Sequence, residues 1–384
     1  MKGGQDVRAP GERRTRCPRS RQGRQDVGAP SDKEIGQMIP PINVDKMVDF
    51  SVGLLNTPSP TGDTDRAMVY IQDAFARLPL ALEKAPKGFL SGVWTGQQND
   101  APRALTAHTD TLGAMVLEVK KERPFRMTQL GGWLWNSVEG EGVTIFASDG
   151  RTYRGAIMPV TASIHAHTRA EHETPRNDDN MEVRLDARTE SQKETAALGI
   201  RVGDVIAFDP RVEVNPNGFI RSRHLDDKAS IATIFGALAA LKEAGLIPRQ
   251  TTTIHISNYE EVGHGAAAGF PSDLVDLLTV DMAVVAPRQT SDEFSVTVCA
   301  KDSAGPYHMG FRRELENLAA ASDIPYQTDI YPYYGSDGES YWRAGGNVRV
   351  GLIGPGVAAS HHYERTHRDA LENTAKLIAA YLLS

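Results

Sequence analysis

The chain has 384 residues, of which 40% are hydrophobic and 24% are charged. That composition is typical of globular proteins, and a chain of this length can bury a large core without disulfide bonds. No stretch approaches the roughly 20 consecutive apolar residues that a transmembrane helix requires, so we expect no membrane partner. The length suggests two or three domains, or one domain that carries an insertion.

Charge is distributed unevenly along the chain. Residues 1–34 contain nine basic and five acidic residues, whereas the remaining residues contain 33 basic and 44 acidic ones. Nucleic-acid binding depends on neutralising phosphates, and so acidic a body argues against it. The two cysteines, Cys17 and Cys299, are too few for a disulfide scaffold or a cysteine-based zinc module. They favour a reducing, cytoplasmic location.

Residues 1–38 are predicted to form a disordered basic extension. They begin with two copies of a short repeat, QDVRAP and QDVGAP, and contain almost no apolar side chains up to residue 30. Such a segment cannot bury a core, and it lacks the apolar stretch of a secretory signal. It is either a true extension or an over-long translated start, and we expect order to begin near Ile39.

The rest of the chain alternates between helical and strand-like patterns. Residues 64–78, 228–243 and 370–383 have apolar side chains at helical spacing, whereas 104–108 and 251–257 have the pattern of strands. This alternation predicts an α/β fold with a mostly parallel sheet flanked by helices.

The middle of the chain differs from its two flanks. Short strand-like runs separated by Gly, Asn and Asp fill residues 117–220. We therefore predict one catalytic domain, made of residues 39–116 and 221–384, interrupted by a small inserted β-rich domain.

Histidines and carboxylates cluster at or near the predicted strand ends. The clusters are His108-Thr109-Asp110, His224 to Lys228, Glu260-Glu261, Asp281, and His361 to Glu364. The carboxyl ends of parallel strands line one crevice, so residues far apart in sequence can converge there. Separations of 20 to 118 residues are too long for a zinc finger but suit ligands that successive strands contribute one at a time.

Two histidines and several carboxylates form a nitrogen and oxygen donor set. Such a set suits zinc, cobalt or manganese, and a carboxylate that bridges two ions is typical of two-metal hydrolases. In the adjacent pair, one of Glu260 and Glu261 can bind a metal while the other transfers protons. The Asp110 side chain can accept the free N–H of His108 and orient its ring.

These motifs resemble the tetrahedral (glutamyl, or deblocking) aminopeptidases, metallopeptidase family forty-two. The resemblance covers residues 45–384 and is carried by Ala107-His108-Thr109-Asp110-x-x-Gly113, Leu225-Asp226-Asp227-Lys228, Glu260-Glu261-Val262-Gly263-x-Gly265-Ala266 and Gly335-Ser336-Asp337. The family has a zinc-aminopeptidase-like α/β domain interrupted by a small β-rich domain. Its members usually assemble into dodecamers, with dimer contacts through that insertion, so the resemblance implies a homo-oligomer.

The resemblance also implies a role for each site residue, with two divalent metal ions per chain, zinc or else cobalt or manganese. One ion would be held by His108 and Asp281, and the other by Glu261 and His361. Asp226 would bridge the two ions. The remaining roles are catalytic, with Glu260 as the general base and Asp110 behind His108.

The chain departs from the family pattern near the last ligands. Lys228 replaces an expected Arg, and His362 is a rival to His361 because the usual His-Ser-Pro-x-Glu is absent. Asp292 or Glu293 would replace Asp281 as the ligand if the sheet strand lay at 283–286. Substrate-binding candidates are Asp337, Tyr334 and His362.

The predicted function is hydrolysis of peptide bonds in short peptides, in the manner of an aminopeptidase. The departures from the pattern also resemble a bacterial branch associated with the osmoprotectant N-acetylglutaminylglutamine amide. A hydrolase of a capped dipeptide or another N-acyl substrate is therefore an alternative prediction. A non-catalytic homologue that binds peptides is a third.

Overall fold

The computed structural model describes residues 30–119, 125–189 and 191–384. Most of the predicted basic extension, residues 1–29, lies outside the described residues. A short helix, Asp32–Met38, falls within the predicted extension. Ser31 and Glu34 form a capping box at its start, and Ile35 is buried, so order begins before Ile39 and that prediction was wrong.

The described chain alternates helices and strands along its whole length. Its helices are α1 (Asp32–Met38), α2 (Val44–Leu55), α3 (Asp65–Phe75), α4 (Arg169–His172), α5 (Gln192–Ala197), α6 (Leu225–Glu243), α7 (Met309–Ala321), α8 (Asp337–Arg343) and α9 (Arg368–Leu383). Its strands are β1 (Glu83–Lys84), β2 (Leu90–Trp94), β3 (Gln98–His108), β4 (Gly113–Val119), β5 (Phe125–Leu130), β6 (Gly142–Phe146), β7 (Thr152–Pro159), β8 (Met181–Leu185), β9 (Val205–Phe208), β10 (Glu213–Val214), β11 (Phe219–Ser222), β12 (Gln250–Ser257), β13 (Asp276–Val280), β14 (Ala283–Val285), β15 (Val296–Lys301), β16 (Tyr326–Ile330), β17 (Arg349–Ala358) and β18 (Glu364–His367).

Twelve strands of the described chain form one mixed sheet, in the order β1-β2-β12-β3-β13-β17-β18-β11-β10. Strands β14 and β15 also pair with β17, and β16 pairs with β15. The centre, β12-β3-β13-β17, is parallel, whereas the pairs of β2 with β12 and of β17 with β18 are antiparallel. The predicted mostly parallel sheet is therefore correct for the centre and wrong for the margins, where short strands pair antiparallel.

Helices cover both faces of this sheet because alternate side chains of a strand point to opposite faces. Leu105, Leu278 and Ile353 pack in the core beneath the long helices α2, α6 and α9. Their neighbours one residue earlier pack in a second, smaller core that includes Tyr341 and the adjoining Trp of α8. Helix α6 is buried from Leu225 to Leu241, so it is a central helix and does not have the single apolar face that its sequence suggests.

The inserted domain is a closed six-stranded barrel with the strand order β4-β5-β8-β7-β6-β9. It begins at Gly113 and its last strand ends at Phe208, whereas the sequence boundaries were placed at 117 and 220. Strands β10 and β11 belong to the main sheet through β18. The barrel has its own apolar core, centred on residues such as Phe125, Ile145 and Ile206.

A buried ion pair joins the barrel to the main domain. The Arg223 Nε atom lies 2.6 Å from Glu141 Oε2, and the two side chains are only 4% and 3% exposed. Arg223 also donates to the carbonyl groups of Ser137 and His362. Removing one partner of such a pair leaves an uncompensated buried charge, which typically costs about 3–5 kcal/mol.

We expect Glu141→Ala to lower the melting temperature by at least about 5 °C, because Arg223 loses its buried counter-charge. The matched control is Glu139→Ala, two residues away, whose carboxylate pairs with Arg176 and is 36% exposed. Surface pairs contribute about 0–1 kcal/mol, so this variant should melt close to the unmodified protein. Scanning calorimetry of both proteins tests the difference, and equal melting temperatures would contradict it.

Candidate active site

Four neighbouring parallel strands end at the same edge of the sheet and bring distant residues together. His108 is the last residue of β3, and Asp281 follows β13 directly. Glu260 and Glu261 lie in a short 3-10 turn after β12, and His361 lies just beyond β17. With Asp226 at the start of α6, these six residues form what we call the acid–histidine cluster.

The described cluster contains two groups of potential metal ligands that share Asp226. One group is His108, Asp226 and Asp281; the other is Asp226, Glu261 and His361. Within each group the donor atoms lie within 4.8 Å of one another. The two oxygens of Asp226 point to different histidines: Oδ1 lies 3.2 Å from His108 Nε2, and Oδ2 lies 3.3 Å from His361 Nε2.

Both histidine rings are oriented by backbone carbonyls. His108 Nδ1 donates to the carbonyl of Asp110 at 3.0 Å, and His361 Nδ1 donates to the carbonyl of Gly132 at 2.5 Å. A carbonyl can only accept, so Nδ1 carries a hydrogen in each ring and Nε2 faces the cluster. Gly132 lies between β5 and β6, so the inserted domain contributes directly to the site.

Asp110 does more than orient His108. Its side-chain Oδ1 lies 3.5 Å from His108 Nδ1, whereas its backbone carbonyl oxygen lies at 3.0 Å. The acceptor for His108 is therefore the backbone carbonyl of Asp110 and not the predicted side chain. The carboxylate instead accepts from the N–H groups of Glu260 at 3.1 Å and Glu261 at 3.3 Å, and from the Thr61 hydroxyl at 2.8 Å. Asp110 therefore holds the turn that carries both glutamates.

The charges of the cluster perturb one another strongly. Burial and the neighbouring carboxylates raise the pKa of Glu261 to about 8 and that of Asp281 to about 7. Burial alone would lower the pKa of His361, but Asp226 and Glu261 raise it to about 11. Burial would raise the pKa of Asp226, but hydrogen bonds from His108 and His361 hold that pKa below its usual value.

These residues fit divalent metal ions. Asp281 Oδ1 and Glu261 Oε1 are buried oxygens without a hydrogen-bond partner among the described residues. A buried oxygen without a partner is costly, and a cation would supply the missing interaction. The donors are all imidazole nitrogens and carboxylate oxygens, which zinc, cobalt and manganese accept.

Glu260 lies at the cluster but is not part of either ligand group. Its Oε2 is 3.7 Å from His108 Nε2, and its side chain is 15% exposed. It also lines the adjoining cavity. Burial, together with Asp281 and other carboxylates, raises the pKa of Glu260 well above its usual value, although His108 opposes the shift. A carboxylate with this affinity for protons, facing open space, can accept one.

The rival ligands lie elsewhere. His362 is exposed, and its Nδ1 accepts from the N–H of Tyr363 at 2.8 Å. Glu293 pairs with Arg365 at 2.7 Å, and Asp292 caps the chain just before β15. None of the three belongs to a ligand group in the described part of the chain.

Of the three substrate-binding candidates, only Tyr334 lines the cavity in the described chain. Asp337 is buried beneath the glutamate turn, where it accepts from the N–H of Ala266 at 2.7 Å and from the Ser257 hydroxyl. These contacts hold its carboxylate below the turn and away from the cavity lining, so a substrate contact by Asp337 stays a prediction. His362 faces solvent instead of the cavity.

Sequence reasoning missed the contribution of Glu364. Its Oε1 accepts from the N–H of His361 at 3.0 Å, and its Oε2 accepts from the N–H of Asp226 at 3.2 Å. This buried carboxylate therefore ties together the backbones of two ligands. The available signal was its place three residues after His361.

Asp227 has a similar role that the sequence analysis did not assign. Its Oδ1 accepts from the N–H of Met282 at 3.1 Å, and its Oδ2 lies 3.4 Å from the N–H of His108. The peptide bond between Asp226 and Asp227 is cis. Asp227 thus links the start of α6 to the ends of β3 and β13.

A cavity of about 830 Å³ opens beside the cluster. Its lining includes Asp226, Glu260, Glu261, Asp281 and His361, so the catalytic groups form one of its walls. A concave site of this size with convergent polar groups is typical of substrate binding.

Within the described residues, no helix is both long and apolar enough to cross a membrane.

Comparisons with known proteins agree with the geometry. The family model of the M42 glutamyl aminopeptidases matches residues 88–377. Over 342 residues the chain is 42% identical to the Bacillus subtilis (strain 168) protein named "Putative aminopeptidase YhfE", covering 89% of this chain and 99% of the relative. A glutamyl aminopeptidase of Lactococcus lactis subsp. cremoris (strain MG1363) is 31% identical over 167 residues, covering 43% of this chain and 45% of the relative.

Solved structures share the fold at low sequence identity. The TET aminopeptidase of a marine sediment archaeon, Thaumarchaeota archaeon SCGC AB-539-E09, aligns with a TM-score of 0.80 at 19% identity, covering 88% of this chain and 97% of that one. The TET1 peptidase of Pyrococcus horikoshii aligns with a TM-score of 0.76 at 18% identity, covering 88% and 99%. The chain belongs to the M42 glutamyl aminopeptidase family and is a metal-dependent aminopeptidase.

Proposed function

We propose that this protein is a two-metal aminopeptidase that releases single residues from the free N-termini of short peptides. The observation that carries the proposal is the position of Asp226, one carboxylate shared by two groups of ligands. A shared carboxylate is the usual way to hold two ions about 3.5–4 Å apart. Such a zinc-aminopeptidase-like centre fits the parallel strand ends of this fold.

In this proposal His108 and Asp281 would hold one ion, Glu261 and His361 would hold the other, and Asp226 would serve both. When bound, two such ions polarise the scissile carbonyl and make water a better nucleophile. The donor set favours zinc, with cobalt or manganese as alternatives. The carboxylates that repel one another in the cluster would then each face a cation.

Glu260 is the proposed general base. Its carboxylate takes a proton from the attacking water and passes it to the nitrogen of the leaving peptide. Asp110 supports this step because it holds the backbone N–H of Glu260 and so fixes the turn. Proton transfer of this kind contributes about 10²- to 10⁴-fold to the rate.

We also propose that the protein acts as a homo-oligomer. Support comes from the solved relative of Pyrococcus horikoshii, which assembles into a tetrahedron or a large octahedral shell. A role of the barrel in dimer contacts, a dodecameric size and a cytoplasmic location remain predictions. The association with a capped osmoprotectant also remains a prediction, since the relatives named above carry aminopeptidase names and none that refers to such a compound.

We expect Glu260→Gln to lower kcat about 10²-fold or more while both metal ions stay bound, because the amide cannot accept the proton. Turnover of an aminoacyl p-nitroanilide, with metal content from inductively coupled plasma mass spectrometry, checks both parts. Glu243→Gln, an exposed surface glutamate, is the matched control and should be fully active. Unchanged turnover of Glu260→Gln would refute the assigned role.

We expect ligand variants to differ in how many ions they retain. Asp226→Asn should lose both ions because it disrupts both groups, and His361→Ala should lose one. His362→Ala should lose none, because that ring lies outside the ligand groups. Metal per chain after dialysis against a weak chelator measures this series. Loss of an ion from His362→Ala but not from His361→Ala would reverse the assignment.

We expect the metal-loaded protein to release residues only from peptides with a free N-terminus. A matched panel of dipeptides and tripeptides, half free and half acetyl-capped and amidated, followed by mass spectrometry, checks this preference. The expectation follows from the family to which the chain belongs, since an aminopeptidase acts on the free N-terminus of a peptide. Cleavage confined to the capped half would instead favour the alternative amide hydrolase.

A further inference from the structure

The cavity beside the cluster has an apolar side that the mechanism does not use. We call this side the side-chain pocket. It is lined by Val284, Ala286, Pro287, Tyr331, Pro332 and Tyr334. Val284 lies in β14 and the next two residues of the set follow that strand, close in sequence to Asp281, whereas the other three follow β16. The first side chain of a peptide bound at the cluster would therefore have room on this side.

Three polar groups of the cavity wall, those of Gln289, Tyr331 and Tyr334, already have hydrogen-bond partners. The Tyr331 hydroxyl is hydrogen-bonded to the Ser291 hydroxyl at 2.7 Å, and the Tyr334 hydroxyl donates to a backbone carbonyl at 3.0 Å. The amide nitrogen of Gln289 likewise donates to a backbone carbonyl, at 2.6 Å. Tyr331 and Tyr334 thus offer the cavity mainly their rings.

The positive charge in the wall is also occupied. Among the described residues that line the cavity, Arg343 is the one that is Lys or Arg. Its Nη2 lies 2.9 Å from Glu339 Oε2. Glu339 Oε2 accepts a hydrogen bond from this guanidinium, so Arg343 already has one partner.

Binding the side chain of an N-terminal glutamate in this pocket is unfavourable. Its carboxylate would lose water against the apolar wall and would compete with Glu339 for Arg343, and burying an unpaired charge is strongly unfavourable. A leucine or phenylalanine side chain would instead bury apolar surface against the wall. Both effects favour an apolar side chain over an acidic one, so we expect a preference of at least about 10-fold in kcat/KM.

We infer that this protein prefers large apolar N-terminal residues and discriminates against acidic ones, unlike the glutamyl specificity in its family's description. The inference rests on the proposed function, since it assigns the substrate class of the same site. It depends on the chemistry of the wall, which is made of apolar side chains, tyrosine rings and an arginine that already has a partner.

The first test compares Leu-, Phe- and Glu-p-nitroanilide with the metal-loaded protein. We expect kcat/KM for Leu and Phe to exceed that for Glu by at least about 10-fold. In parallel, calorimetric titration of the products L-leucine and L-glutamate measures the preference without turnover, and we expect leucine to bind at least about 10-fold more tightly. Equal or better use of Glu, or tighter binding of glutamate, would overturn the inference.

Two variants test the cause of the preference. Ala286→Lys places an unpaired cation at an exposed position of the wall and should raise the Glu/Leu ratio of kcat/KM at least about 10-fold. Arg343→Met should leave that ratio within about 3-fold, because the guanidinium is already paired. Loss of Glu hydrolysis in Arg343→Met would show that Arg343 binds acidic substrates and would refute the inference.

The two proposals fail in different ways. Absence of turnover on every substrate, together with tighter leucine binding, would refute the proposed hydrolysis but support the apolar pocket. Turnover with a preference for Glu would support the hydrolysis and refute the pocket.

Discussion

The site depends on one carboxylate that lies between two histidines in a buried, acidic environment. Asp226 Oδ1 and Oδ2 each face one imidazole, at 3.2 and 3.3 Å. Around it, carboxylates with raised pKa values repel one another, and two buried oxygens lack hydrogen bonds in the described chain. Such an arrangement is unfavourable without cations, so this part of the fold is best explained as a place to hold them.

The surrounding structure holds that carboxylate and its neighbours in position. Glu364 binds the backbone N–H groups of Asp226 and His361, and Asp110 binds those of the two glutamates. These anchors fix the donors at strand ends, at the start of a buried helix and in the turns that follow β12 and β17. A metal site needs ligands whose positions are set before the ion binds, and backbone hydrogen bonds to buried carboxylates achieve this.

The ends of the central strands were predictable because periodicity shows where a strand stops, and polar residues there must face the crevice. The clusters were named from the sequence, and the resemblance to the family supplied the role of each member. The structure brings together six of them, His108, Asp226, Glu260, Glu261, Asp281 and His361. The antiparallel sheet margins were not predictable, since short strands carry little periodicity. Nor was the inward direction of Asp337, because the sequence cannot tell a carboxylate that binds substrate from one that binds a backbone N–H.

The barrel is part of the site as well as an insertion. The carbonyl of Gly132 orients the His361 ring, so a main-domain ligand depends on a barrel residue. The buried Arg223 joins the two domains through Glu141 and also donates to the carbonyl of His362, one residue past the ligand. Any shift of the barrel relative to the sheet would therefore act on His361 first. The insertion and the acid–histidine cluster must therefore keep one relative position for His361 to stay beside Asp226.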